Sequence, residues 1–483
     1  MSHATQSRPR LTFAVLCVAT TAYSVTQSFL LPVLPVVEKH FHTSQDTAAW
    51  VITLFLLSAA VATPILGRLG DIVGKEKVLV GCIALLGAGS VLGALAPNIS
   101  VLFVSRAIQG MGGAIFPLAF GIIRDEFPEE RVAGAIGTVS SLLAAGGGLG
   151  LVFAGPVTTH LGFAWLFWLP LPFVVFGALA TWLWIPESPV RASGSITLLP
   201  SLTLSLWLVG LLLGVSEGPS WGWTDPKVIG LLAAFIIAFA AWVAVENRSQ
   251  KPLIDMKMMR IPAVWRTNVV ALAFGAVQYS FLAIVPAFIE TAKSSGYGFG
   301  LSVTTTGFYE APFAAAMFIV GFMVGRLTER IGSRGVTFVG GAMTAVTYFV
   351  LAFSHTNIGV VSAMAAVFGI GMALGFSALS TLVVEAVRPD QVGAAAGMNT
   401  NVRTIGGAIG TTVVTLIVTS GVHGDQAPHE SGYTTAFIVL GITGLVSALA
   451  ALAVPTRRDD EPFVHAARVA HHLEDDAELV PSA

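Results

Sequence analysis

Charge is what this 483-residue chain has least of. Only 11% of its residues are Asp, Glu, Lys or Arg, against about 25% in soluble globular proteins. With a hydrophobic share of 54% and a mean hydropathy of +0.80, that scarcity excludes an ordinary soluble domain and makes the lipid bilayer the expected solvent. A net charge of -2 offers no basic face for nucleic acid. Cysteine is nearly missing as well. Cys17 and Cys82 both lie in apolar runs, so neither a disulfide framework nor a Cys-based metal site is expected. There is no Walker-type phosphate loop, no metal-ligand spacing and no nucleophile constellation. ATP-driven pumping, a metal centre and enzymatic chemistry are therefore not expected.

What the chain has instead is long apolar runs. A spanning helix needs about 20 mostly apolar residues. Fourteen candidates lie near 11–36, 47–67, 78–96, 99–122, 133–157, 163–185, 197–217, 226–246, 264–289, 303–325, 335–354, 358–384, 392–420 and 433–454. The first is too long for a signal-peptide core and reads as a retained helix.

Lys and Arg in the loops set orientation. Of the 25 basic residues, twenty fall on the side shared by the two termini, from Arg8 and Arg10 through Arg191 and Lys251 to Arg457, Arg458 and Arg468. Lys39, Lys227 and Lys293 fall on the other side, and Arg106 and Arg403 inside spans. An even span count with both termini cytoplasmic is expected.

A signature occurs twice on that side. Gly67-Arg68-Leu69-Gly70-Asp71-Ile72-Val73-Gly74-Lys75 and Gly325-Arg326-Leu327-Thr328-Glu329-Arg330-Ile331-Gly332-Ser333-Arg334 both read Gly-Arg-Leu, an acid, Gly, then a base. Eight spans between them make them parallel repeats, the mark of a transporter built from two halves. The expected fold is an all-α polytopic membrane protein of two six-helix bundles plus two extra central helices. Its parts are an N-terminus at 1–10, a first bundle at 11–190, an inserted pair at 191–250, a second bundle at 251–455 and a tail at 456–483. The linker from Glu246 to Pro262 is expected along the inner membrane surface. The tail, with His471, His472, Glu474, Asp475 and Asp476, reads as a disordered solvated end. A His-rich metal site there is the weaker reading.

These residues resemble the major facilitator superfamily, and within it the fourteen-helix branch of drug:proton antiporters. Gly67, Leu69, Asp71, Gly74 and Lys75 match its helix 2–3 signature, from which Ile72 and Glu76 depart. Arg106-Ala107-Ile108-Gln109-Gly110-Met111-Gly112 resembles its Arg-x-x-Gln-Gly-x-Gly motif. Trp50 and Thr53 resemble its Trp-x-x-Thr opening, and Pro128 to Gly134 its helix 4–5 loop. The likeness covers about 11–455. Two positions depart from the pattern. The Gly-Pro of the helix 5 antiporter motif is Gly150-Leu151 here, and Thr26 stands where an acid is usual in helix 1.

The resemblance implies the major facilitator fold and a multi-pass plasma-membrane protein, its composition fitting a bacterial source. It also implies alternating-access export of small amphipathic molecules coupled to protons. The expected partners are substrate, protons and lipid, the protein is expected as a monomer, and no cofactor is needed beyond the proton gradient. A proton-coupled importer or facilitator, and a non-transporting sensor on the same fold, remain as alternatives.

Ionisable side chains inside spans are costly and mark function by default. Arg106 is read either as a cavity-facing coupling residue or as an Arg tied to backbone carbonyls. Glu310, about seven residues into its helix, can carry a proton, attract a cation, or stay solvated at the rim. Arg403 can neutralise Glu310, bind an anion, or join two helices. Gln27, Gln109, Gln278, Tyr279, Tyr309, Asn399 and Asn401 can line a cavity or act as helix glue. Gly110, Gly112, Gly148, Gly150 and Gly155 are expected at close helix contacts. Gly67, Arg68, Asp71, Gly74, Lys75, Gly325, Arg326 and Glu329 form the expected latch. In it Arg68 and Lys75 pair across the two halves, and Asp71 interacts with backbone N–H groups near a helix start and with neighbouring bases.

Overall fold

The computed structural model describes residues 9–188, 197–249, 252–420 and 428–455. The terminal arms, including Arg8 and the whole tail with its His471–Asp476 cluster, lie outside the described residues, as do Arg191 and Lys251.

Among the described residues, fourteen long helices run in chain order: α1 Pro9–Ser28, α2 Gln45–Val73, α3 Lys75–Ala94, α4 Ile99–Glu126, α5 Glu129–His160, α6 Trp165–Trp184, α7 Leu198–Trp221, α8 Pro226–Arg248, α9 Pro262–Glu290, α10 Val303–Gly321, α11 Val324–Phe353, α12 Ile358–Ala386, α13 Val392–Thr419 and α14 Glu430–Leu452. Side-chain caps from Ser44, Asn98, Asp225, Ser302 and Asn357 satisfy first-turn N–H groups of their helices. Thirteen of the fourteen are long and apolar enough to cross a membrane. The exception is α10, where Thr304, Thr305, Thr306, Tyr309, Glu310 and Pro312 dilute the apolar run. It packs between α5 and α12, and its Thr306 and Glu310 are buried within the protein.

Several boundaries differ from the sequence reading. The first span stops at Ser28, because Pro32 and Pro35 cannot continue it. A short helix, Leu34–Phe41, follows. α4 tightens into a 3₁₀ turn at Met111–Ala114. α5 runs on through Leu151, and its only proline is Pro156. The Glu246–Pro262 linker does not simply lie along a surface, because part of it is buried in the protein. Glu246 is buried, and its carboxylate accepts from Trp242 Nε1, Leu253 N and Ile254 N at 3.1, 2.9 and 3.2 Å. Leu253, Ile254 and Met258 then bury in a core cluster to which both halves contribute.

α1–α6 and α9–α14 form two six-helix groups that meet where α2 packs on α13 and α5 on α10 and α12. α7 and α8 pair with each other, and α7 lies against both α2 and α13, covering that seam. We call the end carrying the two Gly-Arg-Leu segments the basic end.

Candidate functional site

The two signatures are not loops. α2 continues through Arg68 and Asp71 to Val73, and α3 begins at Lys75, so Gly74 alone makes the turn at φ +131°. In the second copy Gly332 interrupts α11 at φ +74°. Only glycine enters these backbone regions readily, and it recurs seven residues after Gly67 and after Gly325. The leading glycines share a second role. A Cβ on Gly67 would sit 2.7 Å from the carbonyl oxygen of Gly393 at the start of α13, and one on Gly325 2.9 Å from Cα of Gly134 in α5. Each copy thus presses bare backbone onto the opposite half.

Asp71 is buried, and its Oδ2 accepts from the Ala394 N–H at 3.3 Å, in the first turn of α13. The expectation of a carboxylate at a helix start therefore meets a partner in the other half. Lys75 corrects the sequence reading. It is 1% exposed, and its Nζ donates to Asp125 Oδ2 at 2.7 Å and to Ser188 at 3.4 Å, all within the first half. It does not pair across the halves. Arg68 is half-buried, whereas Arg326 and Glu329 are exposed. Arg124 adds a bond across the halves to the Val384 carbonyl. The basic end is therefore sealed by backbone contacts and one buried carboxylate.

Above this seal lies a cavity of about 340 Å³ between the halves. Its apolar wall includes Tyr23, Phe55, Phe116, Phe120, Phe313 and Phe376. Gln27, Gln278, Tyr279, Asn399, Asn401, Arg106 and Arg403 line it. Leu212 and Ser216 of α7 line it too, and Thr412 Oγ1 of α13 donates to the Val215 carbonyl at 3.1 Å. Sequence gave no hint of this, because the extra helix pair had no counterpart to compare. Nor did it single out the aromatic wall, since isolated Phe residues on apolar helices look like core or lipid contacts.

Arg106 is 1% exposed. Its Nε donates to Val51 O at 3.2 Å, its Nη1 to Gln109 Oε1 at 2.6 Å, and its guanidinium lies 4.2 Å from the Phe55 ring centroid. Arg106 is thus tied to a backbone carbonyl and also lines the cavity. Gln109 stands behind it, bonded to Ser90 Oγ at 3.0 Å, and does not reach the cavity. Asn399 Nδ2 donates to Asn268 Oδ1 at 2.8 Å, and Asn401 Nδ2 to the Ala60 carbonyl at 2.7 Å across the halves. Thr26, at the position of the missing helix 1 acid, is buried with its hydroxyl given to Ala22 O.

Two more expectations change. Tyr309 faces away from the cavity on α10, and its carbonyl accepts from Ser362 Oγ at 2.8 Å. Glu310 is not in the lining either. It is buried, one carboxylate oxygen has no hydrogen-bond partner, and the charged group facing it is Glu290 rather than Arg403. Helix azimuth decides both, and hydropathy alone does not fix azimuth.

The helix-packing glycines sit at tight contacts. Cβ atoms would stand 2.5 Å from Phe55 O at Gly110, 3.0 Å from Tyr23 at Gly112, 2.4 Å from Ala314 at Gly148, 2.8 Å from Ser28 at Gly150 and 3.3 Å from Thr304 at Gly155. Gly148 and Gly155 thereby let α5 lie along α10.

The chain matches the family model described as Major Facilitator Superfamily over residues 16–411 and 269–473. It is 28% identical over 399 residues to the multidrug resistance protein Stp of Mycobacterium tuberculosis (strain ATCC 25618 / H37Rv), covering 82% of this chain and 73% of that one. It is 28% identical over 460 residues to the cephamycin export protein CmcT of Amycolatopsis lactamdurans, covering 92% of each. Against the tetracenomycin C resistance and export protein of Streptomyces glaucescens it is 25% identical over 432 residues, 88% of this chain and 78% of that one. Among solved structures, the human organic anion transporter MFSD10 (TETRAN) superposes with a TM-score of 0.67 over 92% of this chain and 100% of that one. At 14% identity that likeness is one of fold. Two packed six-helix halves with a shared central cavity, and a family match along most of the chain, establish that this membrane protein is a transporter, not an enzyme, and belongs to the Major Facilitator Superfamily.

Proposed function

We propose that the protein exports small amphipathic molecules across the bacterial plasma membrane by alternating access, driven by proton influx, with both termini and the basic end cytoplasmic. The Lys and Arg bias supports the orientation. The export and resistance relatives support the direction.

The observation that carries the reading is the cavity: an aromatic wall with a few polar groups, set between two halves that are closed at one end. Glu310 is the proton-carrying acid of this reading, and Arg106 and Arg403 are the coupling charges of the cavity itself, not direct partners of Glu310. The carboxyl lies on α10, the helix that packs α5 against α12 across the halves. A relative movement of the halves would change its solvation, hence its hold on a proton.

The test is transport of a fluorescent amphipathic dye in proteoliposomes under an imposed pH gradient. Gradient-dependent dye movement is expected. Glu310→Gln should abolish the dependence on the gradient while leaving counterflow exchange. No gradient-dependent movement, or an unchanged Glu310→Gln, overturns the coupling.

A further inference from the structure

The cavity carries two positive charges and, among its described lining residues, no Asp or Glu at all. Arg106 projects from α4 in one half and Arg403 from α13 in the other. Both are at least nine-tenths buried, each sits 4.2 Å from a phenyl centroid, Phe55 and Phe376 respectively, and neither forms an ion pair among the described residues. Arg106 directs two N–H donors to Val51 and Gln109. The Arg403 guanidinium makes no hydrogen bond to a described residue and keeps its donors for the cavity. A guanidinium offers five.

A buried charge without a counter-charge is unfavourable, and the face of a phenyl ring offsets only part of that. We propose that the missing counter-charge is the substrate, and that the cavity selects amphipathic organic anions, a carboxylate or sulfonate on an aromatic body, over cations of the same shape. The planar fork of Arg403 binds the anionic head in a bidentate manner. The aromatic wall at Phe116, Phe313 and Phe376 takes the body. Glu310 stands outside the lining and gives a cationic head no partner there. Export of such an anion also runs down an inside-negative membrane potential.

The inference rests on the cavity being the substrate site, and the experiment separates the two. Binding of three isosteric probes, 2-naphthoate, 2-naphthalenemethanol and 2-naphthylmethylammonium, is measured by equilibrium dialysis with the purified full-length protein. The wild-type protein should bind naphthoate at least about tenfold more tightly than the ammonium probe. Arg403→Gln should remove most of that preference and leave the alcohol's affinity within about twofold, whereas Arg403→Lys should keep part of it. Phe376→Ala should weaken all three probes together. Equal or tighter binding of the ammonium probe by the wild-type protein overturns the proposal without any variant. So does an anion preference that survives Arg403→Gln in a protein of unchanged monodispersity. An alcohol that binds but ignores Phe376→Ala overturns the cavity as the substrate site.

Discussion

Asp71, at the end of α2, accepts a hydrogen bond from the backbone N–H of Ala394, 323 residues further along the chain and in the first turn of α13. A carboxylate at a helix N-terminus is stabilised by the exposed N–H groups and the helix dipole, worth up to about 2 kcal/mol when partly buried. That energy is present only while the halves are closed at the basic end. In the alternating-access cycle proposed above, it would be large enough to bias the closed state and small enough to be given up at each turn.

Asp71→Asn should therefore shift the protein toward opening at the basic end and lower transport roughly five- to thirtyfold. Glu329→Gln, in the exposed second copy, should change transport less than about twofold. Dye transport at matched expression checks both, and equal losses would remove the asymmetry between the copies.

Gly67→Ala should obstruct closure, because its Cβ would fall 2.7 Å from a backbone oxygen that cannot rotate away. We expect a loss of transport of more than about tenfold, read as dye transport at matched expression. Gly81→Ala is the control, with nothing within 4 Å of its Cβ, and should be neutral.

Lys75 and Asp125 form a buried ion pair with side chains each 1% exposed. Removing one partner, in Lys75→Met, should destabilise the protein by about 3–5 kcal/mol. The double variant Lys75→Met with Asp125→Leu should recover much of the loss. Thermal unfolding in detergent reads this cycle, and additive losses would show that the charges do not act as a pair.

Leu212→Trp on α7 should narrow the cavity and reduce transport of large dyes more than of small ones. Trp added at the exposed Leu206 of the same helix should leave the size profile unchanged. A uniform loss for all dyes would assign α7 a purely structural part.

In this chain the bilayer as solvent, the fourteen helices and the two related halves were all legible from the residues. Hydropathy and the Lys and Arg bias are properties of position along one dimension, and they need no knowledge of partners. The sequence also marked Arg106, Arg403, Gln278 and Asn401 as unusual, because a polar group in a membrane helix must be answered by something. What answers it is a matter of three dimensions. Helix rotation about its axis turned Gln109 behind Arg106 and took Tyr309 and Glu310 out of the cavity. Packing at the basic end sent Lys75 to Asp125 in its own half and Asp71 to the start of α13 in the other. The covering of the α2/α13 seam by α7 made an unmatched helix part of the cavity wall. Each of these depends on contacts between helices far apart in the chain, which short-range pattern does not encode.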